Sequence, residues 1–341
     1  MMDPTQSADE AGLKYVSDTQ PGIRRRKNGK GFAFVDDDRG LVRNKKILER
    51  IGLLVIPPAW KDVWICRQVN GHLQVTGRDA KGRKQYRYHA EWTLLRNGTK
   101  FERMAALSKK LPGLRKKIAA DLKLTGMPKE KVLAAVIKVM LITQSRVGNS
   151  SYALENESYG LTTILNKHAK IKGAQVRLAF RGKSGVDHDI LFEDPQLSKI
   201  LRRCLELPGE ELFAYQDESG VIVDITSTMV NDYLKSSTGE DFTAKDLRTW
   251  GGTCKAVEIL VKDEPLDLKE KHWVKRHLSV IKETAGHLHN TVAVCRKYYI
   301  HPLVFEADRK GKLHELWKSC GRCGKLASRE EKLLTLILHC K

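Results

Sequence analysis

Near the end of the chain the stretch CRKYYIHP, Cys295 to Pro302, sets two tyrosines side by side between cations and a histidine. A phenol with the usual pKa near 10 is protonated and weakly nucleophilic at neutral pH. Neighbouring cations favour the phenolate, so a tyrosine among arginines beside a phosphodiester is a chemically sensible nucleophile. Its attack builds charge on the nonbridging oxygens, which two arginines and an amide can stabilise. The departing sugar oxygen needs a proton, and a lysine held near the phosphate can supply it. One phosphodiester replaces another, so the exchange is nearly balanced in energy. It needs no ATP, it reverses readily, and with arginines providing the electrostatics it needs no divalent ion.

Four other residues fit such chemistry, and each also has an ordinary reading. Arg146 in SRVGN follows a long apolar helix. Alone it is a snorkelling cation, yet a guanidinium at a buried helix end needs an anion or acceptors around it, and a phosphate matches its fork. Lys183 lies in the turn RGKSG, where lysines are usually solvated but can also reach a phosphate. Arg248 in KDLRTW sits near a predicted helix start, where a cation opposes the macrodipole. Asn290 in HLHNT reads locally as an N-cap. Residue type alone leaves open whether Tyr298 or Tyr299 reacts.

Charge points to the substrate class. Lys and Arg number 61 against 41 Asp and Glu, a formal charge of +20 in 341 residues. An excess that large repels itself in a compact chain and fits a polyanion, nucleic acid above all, because neutralised phosphates release counterions. A membrane is the weaker partner: runs such as VLAAVIKVMLI are too short to span a bilayer. The first residues, MMDPTQSADEAG, lack the basic and apolar regions of a signal peptide. Seven scattered cysteines argue for a reducing compartment. Cys320 and Cys323, with His339 and Cys340 beyond, could be half a zinc site, but the adjacent His-Cys pair suits one tetrahedral ion badly. A mobile thiol-bearing tail is the preferred reading. The chain contains no Walker loop and no H-E-x-x-H.

The elements that must position these residues form an α+β chain. Residues 1–20 are polar and read as disordered. Residues 21–96 favour β structure, with a strand and turn in GFAFVDDDRG, a rigid corner in IPPAW, and two strands around Asn70-Gly71. GRKQYRYH then alternates aromatic and basic groups. After EWTLLRNGT the character turns helical, with apolar residues three and four apart. Residues 97–316 are mainly helical around a β insert, AQVRLAFRGKSGVDHDILF, whose turn spans Arg181 to Gly185. Residues 317–341 read as an appendage.

Taken in order, Arg146, Lys183, Arg248, Asn290 and a C-terminal tyrosine resemble the catalytic pentad of type IB DNA topoisomerases. SRVGNSSYALENESYGLTTILNKH resembles the family's first-arginine segment, FRGKSG its lysine hairpin, KDLRTW its second-arginine box and NTVAVCRKYYIHP its tyrosine box. IPPAW and VTGRDAKGRKQYRYH resemble the β-rich half, so the likeness runs over about residues 20–315. It is nearest to the small bacterial and poxviral enzymes.

The resemblance implies a C-shaped clamp made of a small β-rich domain and a larger helical catalytic domain of the tyrosine recombinase/topoisomerase IB type. It implies nicking of one strand of duplex DNA through a 3′-phosphotyrosyl link, strand rotation that relaxes supercoils of either sign, and religation. It implies a monomer without cofactor or metal, in the bacterial cytoplasm on the nucleoid. Arg146 and Arg248 would stabilise the transition state and Lys183 would be the general acid. Lys245 would assist at the phosphate, and Gln85, Tyr86, Tyr88 and Tyr152 would contact DNA.

The family's tyrosine box, with a basic residue three before the nucleophile and an aliphatic after it, fits only Tyr299. Nine residues separate it from Asn290, as in the family. Bacterial relatives tend to carry asparagine where poxviral and cellular eukaryotic ones carry histidine, and either donates a hydrogen bond. Asn290 is preferred to His289 on the expectation that on a helix adjacent positions diverge. A tyrosine recombinase is the nearest rival, but recombinases typically carry H-x-x-R where this chain has Lys245-x-x-Arg248. A non-catalytic basic DNA-binding protein is the rival of another class.

Overall fold

The computed structural model describes residues 4–29, 31–80, 82–150, 153–154, 157–262, 270–319 and 328–339. Two compact units share the chain, Met1–Lys100 and Phe101–Lys341. The division falls inside one helix, Ala90–Asp121, which begins before the LRNGT stretch that the sequence reading left outside it.

The first unit is built on an antiparallel six-stranded sheet. Its strands are β1 (Ile23–Asn28), β2 (Gly31–Asp36), β3 (Gly40–Leu41), β4 (Lys61–Ile65), β5 (Leu73–Arg78) and β6 (Lys84–Tyr88), in the order β3-β2-β1-β4-β5-β6. One face carries Ile23, Val63, Ile65 and Val75 against Ile47 and Ile51 of the helix Lys45–Leu53. The Asn44 side chain caps that helix by accepting from the Lys46 and Ile47 amides. Val16 packs with Trp64, Cys66 and Leu73 in a separate apolar cluster.

Two expectations fail in this unit. Residues 4–20 are ordered, not disordered: a helix covers Pro4–Glu10, and Leu13 and Val16 are buried. Their apolar residues are sparse enough to read as polar, but each meets a partner that a composition window does not see. The Val16 amide donates to His72 Nδ1 at 3.0 Å, and Lys14 exchanges backbone hydrogen bonds with Asn70 and His72. The same contacts explain why Asn70-Gly71 is no two-residue hairpin. The β4–β5 connection is longer, and it forms a bridge to Lys14 in place of a tight turn. At Gly71 the glycine makes room, since a Cβ would lie 2.6 Å from Cys66 Sγ.

The second unit is helical around one buried helix, Lys129–Thr143, whose Val132 and Ala134 to Ile137 are essentially inaccessible. Three strands flank it: β7 (Ala169–Lys172), β8 (Gln175–Arg181) and β9 (Asp187–Glu193), antiparallel and adjacent in that order. Along β8, Val176, Leu178 and Phe180 point into the core while their neighbours face solvent, which is the two-residue period of a half-buried strand. A short hairpin, β10 (Ala214–Gln216) with β11 (Ile222–Asp224), was not foreseen, because three-residue strands carry too little alternation to read.

The end of the chain is not an appendage. Leu313 of the helix Lys312–Ser319 and Leu333, Leu334 and Ile337 of the helix Arg329–His339 belong to the main core. Glu331 accepts from Trp250 Nε1 at 3.1 Å and from Arg115. Amphipathic spacing in LLTLIL supplies the buried face, but only the fold supplies its partner. Cys320, Cys323 and Cys340 lie outside the described residues. Among the described residues no helix is long and apolar enough to cross a membrane.

Candidate active site

Arg248 lies in the second turn of the helix Ala244–Lys262 and is 3% exposed. One Nη donates to the Gln144 carbonyl and the other to Leu288 O at 3.0 Å, while Nε has no partner. Burial brings its pKa down to about 10, a fall opposed by the neighbouring Tyr299, so it stays cationic at neutral pH.

Arg146 reaches the same place from another direction. The helix Lys129–Thr143 stops at Gln144, whose φ of 54° turns the chain sharply, and Arg146 follows outside any helix or strand. Its carbonyl accepts from Leu161 N at 2.9 Å, and the two stretches touch at Gly148 and Gly160, where a Cβ on Gly160 would lie 2.5 Å from Gly148 Cα. Arg146 Nη2 donates to His289 O at 3.2 Å and to Asn290 Oδ1, leaving Nη1 unpartnered. Burial lowers its pKa as well.

Asn290 is not the N-cap that its local sequence suggested. Thr291 caps the helix Val292–Tyr298, and Asn290 uses its carbonyl oxygen to hold Arg146 while Nδ2 has no partner. Nor do His289 and Asn290 diverge as helix neighbours: both lie between helices, His289 at φ 49°. Both meet Arg146, His289 through its carbonyl and Asn290 through its side chain. Three buried donors of these neighbouring residues are therefore unpartnered: Arg146 Nη1, Arg248 Nε and Asn290 Nδ2. Each such group costs about 1–3 kcal/mol when buried without an acceptor, and the nonbridging oxygens of a phosphodiester are suitable acceptors.

The two tyrosines separate clearly. Tyr298 is the last residue of its helix, and its ring lies 5.2 Å from Lys297 Nζ. Tyr299 has left the helix, with φ −127° and ψ −2°, and its ring centroid lies 5.5 Å from the Arg248 guanidinium carbon. The approach depends on Gly252: a Cβ there would sit 2.9 Å from Tyr299 O. Thr253 Oγ1 fixes the segment further by accepting from His301 N at 3.2 Å, its own proton shared between Thr249 O at 2.8 Å and Tyr299 O at 3.2 Å. The WGGT run in a helix interior was a legible signal of close approach that the sequence reading passed over.

Lys183 is exposed at the tip of the β8–β9 turn, beside Ser184 at φ 66°. Lys245 is exposed one helical turn before Arg248. In the first unit Tyr86 and Tyr88 stack on one exposed face of the edge strand β6, centroids 6.1 Å apart, with Lys84 Nζ 5.6 Å from the Tyr86 ring. Gln85, one residue along the strand, points to the other face, where its amide donates to Asp79 at 2.9 Å. Tyr152 lies outside the described residues. Sequence reading missed His188, whose buried ring lies 4.0 Å from that of His289.

The family model described as eukaryotic DNA topoisomerase I, catalytic core, matches residues 83–316, and that of the bacterial DNA topoisomerase IB N-terminal domain matches residues 31–79. The DNA topoisomerase 1B of Acanthamoeba polyphaga mimivirus is 32% identical over 285 residues, covering 82% of this chain and 85% of that protein. Vaccinia virus (strain Copenhagen) DNA topoisomerase 1B is 27% identical over 179 residues, covering 51% of this chain and 53% of its own. A solved structure of the XerH site-specific recombinase bound to difH substrate covers 60% of this chain and 52% of its own at a TM-score of 0.33 and 15% identity, too slight a likeness to bear on function. The chain belongs to the type IB DNA topoisomerase family. It is an isomerase of that class, and its substrate is duplex DNA.

Proposed function

We propose that this enzyme relaxes supercoiled duplex DNA by reversible transfer of one strand to Tyr299. The phenolic oxygen attacks phosphorus, its proton passes to solvent, and the bond to the 5′ oxygen breaks. A 3′-phosphotyrosyl link forms. Lys183 gives its proton to the leaving 5′ oxygen, and the reverse attack of the 5′-hydroxyl reseals the strand. Arg146, Arg248 and Asn290 hold the nonbridging oxygens, and Lys245 adds positive charge at the same phosphate. Between the two steps the free end turns about the intact strand, so supercoils of either sign are removed without ATP or metal.

Residues 21–96 act as the DNA-gripping half, through Tyr86 and Tyr88 on one face of β6 and Gln85 on its other face. Residues 97–316 carry the chemistry, with Tyr152 on the backbone nearby. The enzyme works as a monomer on the bacterial nucleoid in the cytoplasm.

The observation that supports this reading most is that three neighbouring residues, Arg146, Arg248 and Asn290, each keep a buried donor unpartnered, and that the Tyr299 ring lies 5.5 Å from Arg248. The test is relaxation of supercoiled plasmid in EDTA without ATP, with a denaturant-resistant DNA–protein adduct as second readout. Wild type is expected to relax and to form the adduct, and Tyr299→Phe to do neither. Inactivity of wild type in EDTA would sink the metal-free mechanism, and an adduct in Tyr299→Phe would sink the nucleophile.

A further inference from the structure

His188 stands between the Lys183 turn and the anion-binding pair. It is the penultimate register partner of the β8–β9 ladder, opposite Phe180, on which its ring stacks at 4.8 Å and 6°. Only the Arg181–Asp187 pair separates it from the turn, where Gly182 N donates to Val186 O at 2.7 Å. One edge of the ring presses on the turn itself: a Cβ on Gly182 would lie 2.4 Å from His188 Nε2. Gly182 has φ −98° and ψ −169°, backbone that any residue adopts, so the ring and not the dihedral demands glycine there.

The opposite contact is the His289 ring, 4.0 Å away. His289 gives its carbonyl to Arg146, and the next residue, Asn290, gives its side-chain oxygen to the same guanidinium. A contiguous path of packed groups thus runs from the backbone beside Lys183 to the Arg146–Asn290 pair. His188 is 4% exposed and its Nδ1 has no hydrogen-bond partner. A leucine or phenylalanine would fill such a core position without that desolvation cost. Its pKa falls to about 4, through burial first and then His289, Arg146 and Arg248, so the ring is a neutral spacer that adds no charge beside the two arginines.

We infer that His188, wedged between Gly182 and His289, is a positioning residue that sets the Lys183 turn relative to the Arg146–Asn290 pair during strand cleavage. The inference rests on Lys183 being the proton donor, and the experiment separates the two. Single-turnover cleavage is measured on a suicide duplex with either oxygen or sulfur as the 5′ bridging atom. A thiolate leaves without a proton, so the sulfur substrate does not need the acid.

Lys183→Ala is expected to cleave the oxygen substrate very slowly and the sulfur substrate near the wild-type rate. If sulfur does not rescue it, the acid assignment falls. His188→Ala is expected to slow oxygen cleavage roughly ten- to a hundredfold, as a misplaced catalytic group does, and to be rescued by sulfur to within about threefold of wild type. Equal slowing on both substrates, or no slowing, overturns the role of His188 while leaving that of Lys183 standing. Gly182→Ala approaches the same contact from the other side. It is expected to show the same sulfur-rescued defect, partly relieved in the Gly182→Ala/His188→Ala double variant, where the new Cβ finds room. A double variant slowed by the product of the single effects would argue against a shared contact.

Discussion

The arginines that brace the sheet unit and those at the candidate site of the helical unit are treated in opposite ways. In the sheet unit, Arg25 donates to the carbonyls of Ile56, Pro57, Pro58 and Trp60 and lies 4.1 Å over Phe32, which holds the IPPAW corner closed. Arg67 in the same unit forks onto Asp36 at 2.6 Å and reaches Asp38 at 2.7 Å. Among the described residues, the buried side-chain atoms without a partner all lie in the helical unit. Arg146, Arg248, Asn290 and His188, which gather at one site, supply four of them. Arginines that brace the sheet unit have their donors satisfied by the fold, whereas those proposed to meet the phosphate keep donors unpartnered, at a cost in stability.

That contrast can be broken at several points. Replacing Arg248 with alanine should have the largest effect, slowing cleavage by about 10²–10³-fold, as loss of one oxyanion donor does. The fold should survive, because an incompletely paired buried cation leaves with it. Single-turnover cleavage and a thermal melt of the same sample check both halves.

Acid should act next, through His188, which faces His289, Arg146 and Arg248. Its folded pKa of about 4 lies below the 6.5 of the free side chain, so the unfolded chain binds the extra proton. The neutral ring's stability is fully present above pH 6.5 and is lost as pH falls toward 4, by up to about 3 kcal/mol. Denaturant melts at pH 7 and pH 4.5 should show that loss for wild type and a smaller one for His188→Gln. An equal loss in both would assign the acid lability elsewhere.

Arg25→Ala should show the reverse signature to Arg248→Ala. It should destabilise the sheet unit by about 1–3 kcal/mol, because four carbonyls lose their donor, with little change in the chemical step once DNA is saturating. Glu331→Gln should have the smallest effect, about 1 kcal/mol. Burial pushes the Glu331 carboxyl up, but Arg115, the Ser328 amide and Trp250 together leave its pKa below the ordinary value. The stability it contributes is present above the usual carboxylate range and fades as pH falls through it. Wild type and variant should therefore converge in acid, which a pair of pH-dependent melts would reveal.

Much of this was legible before any coordinates. Alternation in QVRLAFR marked β8 and its inward residues, the apolar spacing of KEKVLAAVIKVMLIT marked the buried helix, and the box motifs marked Arg146, Arg248, Asn290 and Tyr299. Local rules failed wherever a distant partner decided. Leu13 and Val16 looked like part of a polar tail until Trp92 and Trp64 supplied something to pack on. Asn70-Gly71 looked like a hairpin turn until Lys14 bridged to it. The terminal helix read as an appendage until Glu331 met Trp250.

What the sequence determined by itself, then, was chemistry and local period, since residue type sets what a side chain can donate, and spacing sets which face it shares. Only the tertiary structure decided which donors remain unsatisfied. Arg248 and Arg25 are the same side chain, and residue type alone does not say whose donors the fold satisfies. Whether a buried guanidinium keeps a donor unpartnered depends on contacts far away in the chain, from Gln144 and Leu288 in one case and from the Pro57 corner in the other.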